Sequence, residues 1–325
     1  MIAWLLRRLG HALLVLVGVN LFTFVLFFTV NTPDDMARLN IGGKRVSQEA
    51  IDKWKVERGY DKPLLYNAAG SGLAKVSDTI FFERSLQLFV FNFGSSDSGR
   101  DIARHILERA PPSLALAVPT FVLGVVVSVV FALLLVFFRQ SYLDFWGVVL
   151  CVVMLSISSL FYIITGQYFF SKLLQVLPIS GFAGGLDMVK FLALPVIVTV
   201  LARLGSEARL YRSLFLEEIG KDYVRTARAK GLSEQVVLFR HVLRNALIPI
   251  LTSTVALIPL LFLGSLVAES FFSIPGLGSY TIEAINSQDF ASVRAMVFVG
   301  SVLYIAGLVL TDLSYTLADP RIRLA

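Results

Sequence analysis

Charge is scarce in this 325-residue chain: Asp, Glu, Lys and Arg make up 16% of it, against about a quarter in ordinary soluble proteins. That shortfall argues against a water-soluble globule. Cysteine is nearly missing. Cys151 stands alone inside an apolar run, which excludes an intrachain disulfide and a cysteine-held zinc or iron-sulfur centre. His11, His105 and His241 are scattered along the chain, with none of the spacing of a metal ligand set or a catalytic triad. Phosphate-binding loops are absent too. Gly43-Lys44 and Gly220-Lys221 lack both the glycine five residues before the second glycine and the Ser or Thr after the lysine. Catalysis is therefore not expected of this chain, nor is a resident metal or cofactor. The net charge of +6 could suggest nucleic acid, but such footprints are clustered and interleaved with aromatics. Here much of the excess flanks apolar segments, so no nucleic-acid partner is expected.

What the chain does contain is apolar sequence, at 56% hydrophobic residues and a mean hydropathy of +0.75. After Trp4, Arg7 and Arg8, an uncharged run extends from Leu9 to Val30, roughly 33 Å as a helix and enough to cross a bilayer. It is longer than the apolar core of a signal peptide and has no small-residue cleavage site, so it reads as a retained anchor. Further runs lie at Ser113 to Phe138, Phe145 to Ser171, Phe191 to about Leu210, Ala246 to Ala268 and Ala295 to Thr311. The expected fold is an all-α polytopic membrane protein with six transmembrane helices.

Six spans place both termini on one side. The stretch from Arg203 to Asn245 carries nine basic and five acidic residues, whereas Glu269 to Ser292 carries acids alone. Arg7, Arg8, Arg139, Arg321 and Arg323 fall on the side of the basic stretch, so the positive-inside rule puts both termini and that stretch in the cytoplasm. The expected organisation is a cytoplasmic N-terminus and first span (1–30), a small external domain (31–112) and a five-helix core (113–325). The core includes a cytoplasmic loop at 211–245. In the external domain, Ser47 suits the cap of a helix running to about Gly59. A second helix, from about Arg100 to Arg109, is expected to stop at Pro111 and Pro112.

The informative segment runs from Glu217 to Pro249, EEIGKDYVRTARAKGLSEQVVLFRHVLRNALIP. Gly231 suits the left-handed position after a helix end, Ser233 the cap of the next helix, and Lys230 the negative end of the first. Ala227 and Gly231, four residues apart, are expected to form a shallow strip rimmed by Arg225, Arg228 and Lys230, against which another protein could pack. A solvated charged turn is the plain alternative.

DYVRTARAKGL (Asp222 to Leu232) followed by HVLRNALIP (His241 to Pro249) resembles the cytoplasmic EAA loop of ABC-importer permeases in its oligopeptide/dipeptide form. FNFGSS (Phe91 to Ser96), ILERAPPSLALA, ESFFSIPGLG (Glu269 to Gly278) with Asp289, and DLSYTLADPR (Asp312 to Arg321) extend the resemblance over nearly the whole chain. Arg225 and Thr226 stand where the general motif has Glu and Ala. Ser158 stands where many relatives have Pro, and the stretch from Tyr66 to Val90 is unusual. The resemblance implies a type I importer subunit, multi-pass in the bacterial inner membrane, that transports peptides or peptide-like solutes. It implies a second, similar permease, two ABC ATPase subunits or one fused pair that carry the ATP and magnesium, and an external solute-binding protein. By the same resemblance Asp222, Arg225, Thr226, Ala227, Arg228, Lys230 and Gly231 dock the ATPase, and Glu269, Pro275, Gly276 and Gly278 form an outer-gate loop, otherwise a tight reversal. Nickel chelates, sugar-like ligands and antimicrobial peptides are alternative solutes.

Arg203 and Glu207, one helical turn apart within an apolar run, need each other or a wet cavity. They read as a structural ion pair or as lining of the translocation path, with Ser156 and Ser159 as further path candidates. Ser and Thr in spans otherwise bond their own backbone. Pro249 and Pro259 are expected to kink the fifth span. Two other classes compete with a permease. A transmembrane sensor needs no coupling helix, and an intramembrane enzyme needs a nucleophile or paired carboxylates that a lone Glu207 does not supply.

Overall fold

The computed structural model describes residues 2–42, 46–68, 72, 74–96, 99–255, 257 and 265–318. Among these the chain is helical, its only β pairing an isolated bridge between Ser95 and Asp101. Five helices are long and apolar enough to cross a membrane, and a sixth crossing is formed if one sharply bent pair is counted as a single span. The protein is therefore an all-α polytopic membrane protein. Pro259 and the Asp319 to Arg321 end of the terminal motif lie outside the described residues.

Two compact units divide the chain, one comprising residues 1–109 and 280–305, the other 110–279 and 306–324. In the first, α1 (Ile2–Val30) is followed by α2 (Pro33–Ile41) and α3 (Gln48–Arg58). Thr32 and Asp35 cap α2 reciprocally, and α3 begins at Ser47 and ends on a left-handed Gly59, as its sequence predicts. The stretch from Tyr66 to Val90 contains α4 (Ala74–Ser77), a π turn at Phe81–Ser85 and a 3₁₀ turn at Leu86–Val90. Phe24, Phe28, Met36, Tyr60 and Ile80 bury together, with Trp54 stacked on Tyr60 at 5.6 Å. Lys55 bridges Asp34 (2.8 Å) and Asp52 (3.0 Å), and Lys62 bridges Asp78 (2.8 Å) and Glu83.

The expected stop at Pro111 and Pro112 does not occur: α5 runs unbroken from Ile102 to Phe137 through both, and through Pro119. Proline's own φ is helical, so the cost is the lost N–H donation and local crowding rather than a forced end. The carbonyls freed four residues earlier belong to Leu107 and Glu108, both exposed residues, where water can take them.

In the second unit, α6 (Tyr142–Ser156) and α7 (Ser159–Gly166, continued by a π turn to Leu173) meet at a 95° bend. Ile157 is extended and Ser158 caps α7, its Oγ accepting the Leu160 N–H at 3.3 Å. A serine cap, rather than a proline, thus restarts the helix. The 33-residue α8 (Asp187–Ile219) packs against both arms of the bent pair. Two short helices follow, α9 (Asp222–Ala229) and α10 (Glu234–Val236), then a π turn at Val237–Val242 and α11 (Leu243–Val255), which passes through Pro249. α12 (Leu266–Phe271), α13 (Leu277–Asn286) and α14 (Phe290–Ala318) are the last elements among the described residues.

Candidate functional site

Helix α9 starts after an extended Lys221, with Asp222 in its first turn where the helix dipole favours an acid. It ends on Gly231 at φ +79°, whose N–H donates to the Arg228 carbonyl at 2.9 Å; a β-carbon is disfavoured in that conformation. Ser233 occupies the cap position of α10, but its side chain makes no capping bond, and its carbonyl accepts the Val237 N–H at 3.0 Å instead. The amphipathic face of α9 is held by Val224 and Ala227, buried with Phe215, Val237 and Leu238.

That packing corrects one expectation. Ala227 does not share an open strip with Gly231, because it faces the chain's own core and is only 5% exposed. Arg228 is also turned inward, its Nε and Nη2 on the two Glu234 carboxylate oxygens at 3.1 and 2.8 Å. The exposed residues of the elbow are Asp222, Arg225, Thr226, Ala229, Lys230, Gly231 and Leu232.

Further residues lock this elbow. Glu218 accepts from the Tyr223 hydroxyl and the Lys221 ammonium. Burial and the Glu218 bond push the Tyr223 phenol up to about 12, and Glu218 raises Lys221 above its ordinary value. Glu234 holds Arg139, beyond the end of α5, at 3.2 Å as well as Arg228. Arg212 of α8 is bidentate on Asp144 of α6, at 2.8 and 2.7 Å. Sequence reasoning missed these partners. The available signal was Asp144 at the head of an apolar run and Glu218 at the end of another, where a carboxylate has to find a cation.

Arg203 and Glu207 do pair, at 2.7 Å, on α8. Arg203 lies sixteen residues beyond the start of α8 at Asp187, roughly 24 Å along its axis. Glu207 is the more enclosed partner, with 12% of its side chain exposed against 37% for Arg203. Its second oxygen accepts from Ser128 at 3.1 Å, and Gly124 of α5 lies beside it. Gly124 and Ser128, four residues apart, are the small-residue signature that lets a neighbouring helix approach, and the sequence reading passed over it. Ser156 donates to its own backbone at Val152, 2.9 Å away. Ser156 and Ser159 are both exposed and do not join the Arg203 cluster.

The Glu269 to Gly278 segment is built around one carboxylate. Glu269 is 0% exposed. Its Oε1 accepts from Ser113 Oγ (2.8 Å) and the Ser265 N–H (3.1 Å), and its Oε2 from the Ser279 N–H (3.0 Å). Ser113 in turn accepts the Leu277 N–H at 2.7 Å. Gly276 and Gly278 are required by close approach: a β-carbon on Gly276 would lie 2.3 Å from Glu269 Oε2, and one on Gly278 2.8 Å from the Leu266 nitrogen. Pro275 is exposed at the tip. Glu269, Gly276 and Gly278 are thus one assembly, joined by Ser113, which the sequence did not single out.

No group of three or more His, Cys, Asp or Glu residues able to hold a metal occurs among the described residues. The arrangement is that of an integral membrane protein carrying an exposed, braced helix between apolar spans. Residues 113–324 match the family described as binding-protein-dependent transport system inner membrane component, and residues 1–117 match its N-terminal companion. The chain belongs to this family, the ABC-importer permeases that its sequence resembles. It is 34% identical over 329 residues to a putative peptide transport system permease protein of Brucella abortus, covering 99% of each chain. It is 33% identical over 285 residues to the dipeptide transport system permease protein DppB of Bacillus subtilis, with 86% of this chain and 87% of that one covered. A di/tripeptide transport system permease protein of Pseudomonas aeruginosa is 30% identical over 350 residues, with 99% of each covered. These relatives are transport permeases, not enzymes. The chain is an inner-membrane component of a system that includes a binding protein and an ATPase.

Proposed function

We propose that this chain forms one half of the translocation path of an importer for peptides or peptide-like solutes, beside a second, similar permease. Relatives named for peptide, dipeptide and di/tripeptide transport, aligned along most or all of the chain, support that solute class. Solute arrives from an external binding protein, both termini lie in the cytoplasm, and two ATPase subunits hold the ATP and magnesium. Each step of this chain's own part is mechanical: nucleotide-driven closure of the ATPases pushes α9, and the spans swing between inward-open and outward-open packings.

One observation carries the coupling role: α9 is the helix whose inner face is fixed in the core by Val224 and Ala227 while its outer face stays open. Thr226→Trp and Ala229→Trp add bulk to that outer face without entering the core. Both variants are expected in the membrane at wild-type level, with copurifying ATPase and peptide uptake each reduced about tenfold or more. If both retain ATPase and transport at wild-type rates, the docking surface lies elsewhere.

A further inference from the structure

The stretch from Tyr66 to Val90, unusual in sequence, runs into an apolar segment that carries no charge between Ser85 and Ser96. Such a run is too short to cross a bilayer and has the length of a buried core helix or of a segment that dips into one face of the membrane. The two charges just ahead of it are spent on the elements around α3. Glu83 pairs with Lys62, and the Arg84 guanidinium donates to the Arg58 carbonyl. The uncharged part leans instead on two membrane-crossing helices, α1 and α14.

Those contacts measure its depth. The Ser85 carbonyl accepts from Asn20 Nδ2 at 3.2 Å, and Asn20 lies ten residues inside the Val30 end of α1, roughly 15 Å along the axis. Phe89 and Phe91 stand edge-on to Phe298, with ring centroids 5.2 and 6.5 Å away, and Phe298 lies eight residues inside the Phe290 end of α14, roughly 12 Å. Counted only from Arg294, the last charge before the apolar run of α14, Phe298 is still four residues in, roughly 6 Å. The two spans agree. In a hydrocarbon core about 30 Å thick, the segment lies within one leaflet.

Its side chains fit that medium. Leu88 turns inward at 6% exposure, whereas Leu86, Val90 and Phe91 are exposed by 37%, 73% and 56%. At the same depth Leu21 and Phe22 of α1 are exposed too, as the lipid-facing side chains of a span are. Gln87 and Asn92 are exposed but meet each other, Asn92 Nδ2 donating to Gln87 Oε1 at 3.0 Å. The turn also satisfies its own backbone, the Phe91 and Asn92 N–H groups donating to the Leu88 and Gln87 carbonyls at 3.0 and 3.1 Å. Polar groups paired within a segment are what a medium without water requires.

We propose that residues 86–91 dip into the bilayer as an anchor, with Leu86, Val90 and Phe91 among the acyl chains of the leaflet at the α2 end of α1. The anchor fixes the height of α2 and α3 above the membrane surface, since Lys62 and the Arg58 carbonyl hold its start. It requires only that α1 and α14 cross the membrane, not the docking role proposed for α9.

The test uses the intact transporter in lipid vesicles, with single cysteines introduced on a background from which its other cysteines have been removed. Nitroxide labels at Val90→Cys and Phe91→Cys are read by electron paramagnetic resonance for collision with oxygen, which concentrates in hydrocarbon, and with a nickel chelate, which stays in water. Both labels should match Phe22→Cys on α1, with high oxygen access and loss of chelate access, whereas Val56→Cys on α3 should show the reverse. Chelate access equal to that of Val56→Cys, or exclusion of both reagents, would overturn the proposal. A photoreactive benzoylphenylalanine at Val90 gives a second reading: a lipid adduct supports the anchor, and a cross-link to the second permease or to the binding protein refutes it. Neither measurement needs nucleotide or solute, so these outcomes are separate from those of the α9 docking variants.

Discussion

The most demanding consequence of this structure concerns a single hydrogen atom. Replacing Gly276 by alanine puts a β-carbon 2.3 Å from Glu269 Oε2, 2.5 Å from Glu269 Cδ and 2.5 Å from Ser113 Oγ. Ordinary carbon contacts begin near 3.5 Å, so one of these groups has to move by about an ångström. Neither is free to do so. Glu269 accepts three hydrogen bonds in a site with no exposed surface, and Ser113 is held between Glu269 and the Leu277 N–H. Moving the carboxylate strands the Ser279 N–H and the Ser113 hydroxyl, at about 1–3 kcal/mol for each buried group left unpaired. Gly276→Ala should therefore cost about 2–6 kcal/mol, which at about 2 °C per kcal/mol lowers the melting temperature by roughly 4 to 12 °C. Gly10→Ala, inside α1 with nothing within 4 Å of the added carbon, is the control and should not lower the melting temperature, since alanine favours a helix interior by about 0.5–1 kcal/mol. Scanning fluorimetry of the two variants in the same detergent, with peptide uptake in proteoliposomes, measures both effects. A Gly276→Ala protein that melts and transports like the control would refute the claim that Glu269 organises this turn.

Two other perturbations follow from the charged groups. Arg203→Leu leaves the largely enclosed Glu207 with Ser128 as its remaining partner and should destabilise by about 3 kcal/mol, whereas Arg203→Leu with Glu207→Leu should recover most of that loss. Unchanged uptake and solute range in a stable double variant would assign the pair to structure and remove it from the translocation path. In the first unit, Thr32 holds the Asp35 carboxyl below its ordinary value of 3.8, as Lys55 does for Asp52 and Lys62 for Asp78. Groups depressed on folding stabilise fully above that pH and lose their contribution as pH falls through the lower folded values. Amide protection factors, in which exchange rates are corrected for their intrinsic pH dependence, should accordingly be constant for α2, α3 and residues 74–90 from neutral pH to about 5 and fall below about 4, and Lys62→Met should abolish the acid-sensitive part around Asp78.

Much of this was legible in the residues because it is local. The apolar runs marked the spans, and Ser47, Gly59 and Gly231 marked helix ends, since backbone geometry is decided within a turn or two of chain. Arg203 and Glu207 were legible for the same reason, being one turn apart. What was not legible depends on contacts distant in sequence. That Ala227 faces inward could not be read from its spacing to Gly231, because the direction of α9 is set by Phe215 and Leu238 on other elements. The passage of α5 through Pro111 and Pro112 was misjudged by treating a lost hydrogen bond as a stop. Ser113 meets Glu269 across 156 residues of sequence, a pairing that no local pattern announces.

The placement of the charged locks bears on how a push at α9 would travel through the second unit. Glu218 with Tyr223 and Lys221 ties α9 to the end of α8, Glu234 ties it to Arg139 beyond α5, and Asp144 with Arg212 ties α6 to α8. All of these lie at the same end of their helices as the elbow, and each closes a link between elements that a force on α9 would otherwise shear apart. The bend at Ile157 and Ser158 has no ion pair of this kind among the described residues: Ile157 is extended, Ser158 spends its side chain on the local cap, and the arms are tied only by one neutral bond, the Tyr162 hydroxyl donating to the Met154 carbonyl at 3.0 Å. Deformation concentrates where resistance is least, so the stiff elbow should move with the adjoining ends of α5, α6 and α8 as one body, and the change of angle should fall at the 95° bend. Ser158→Pro, which removes the capping oxygen but keeps the break, should preserve transport, whereas Ser158→Leu with Ile157→Leu, favouring a continuous helix, should slow uptake while leaving ATPase binding intact. Unimpaired uptake by the continuous-helix variant would place the hinge somewhere other than this bend.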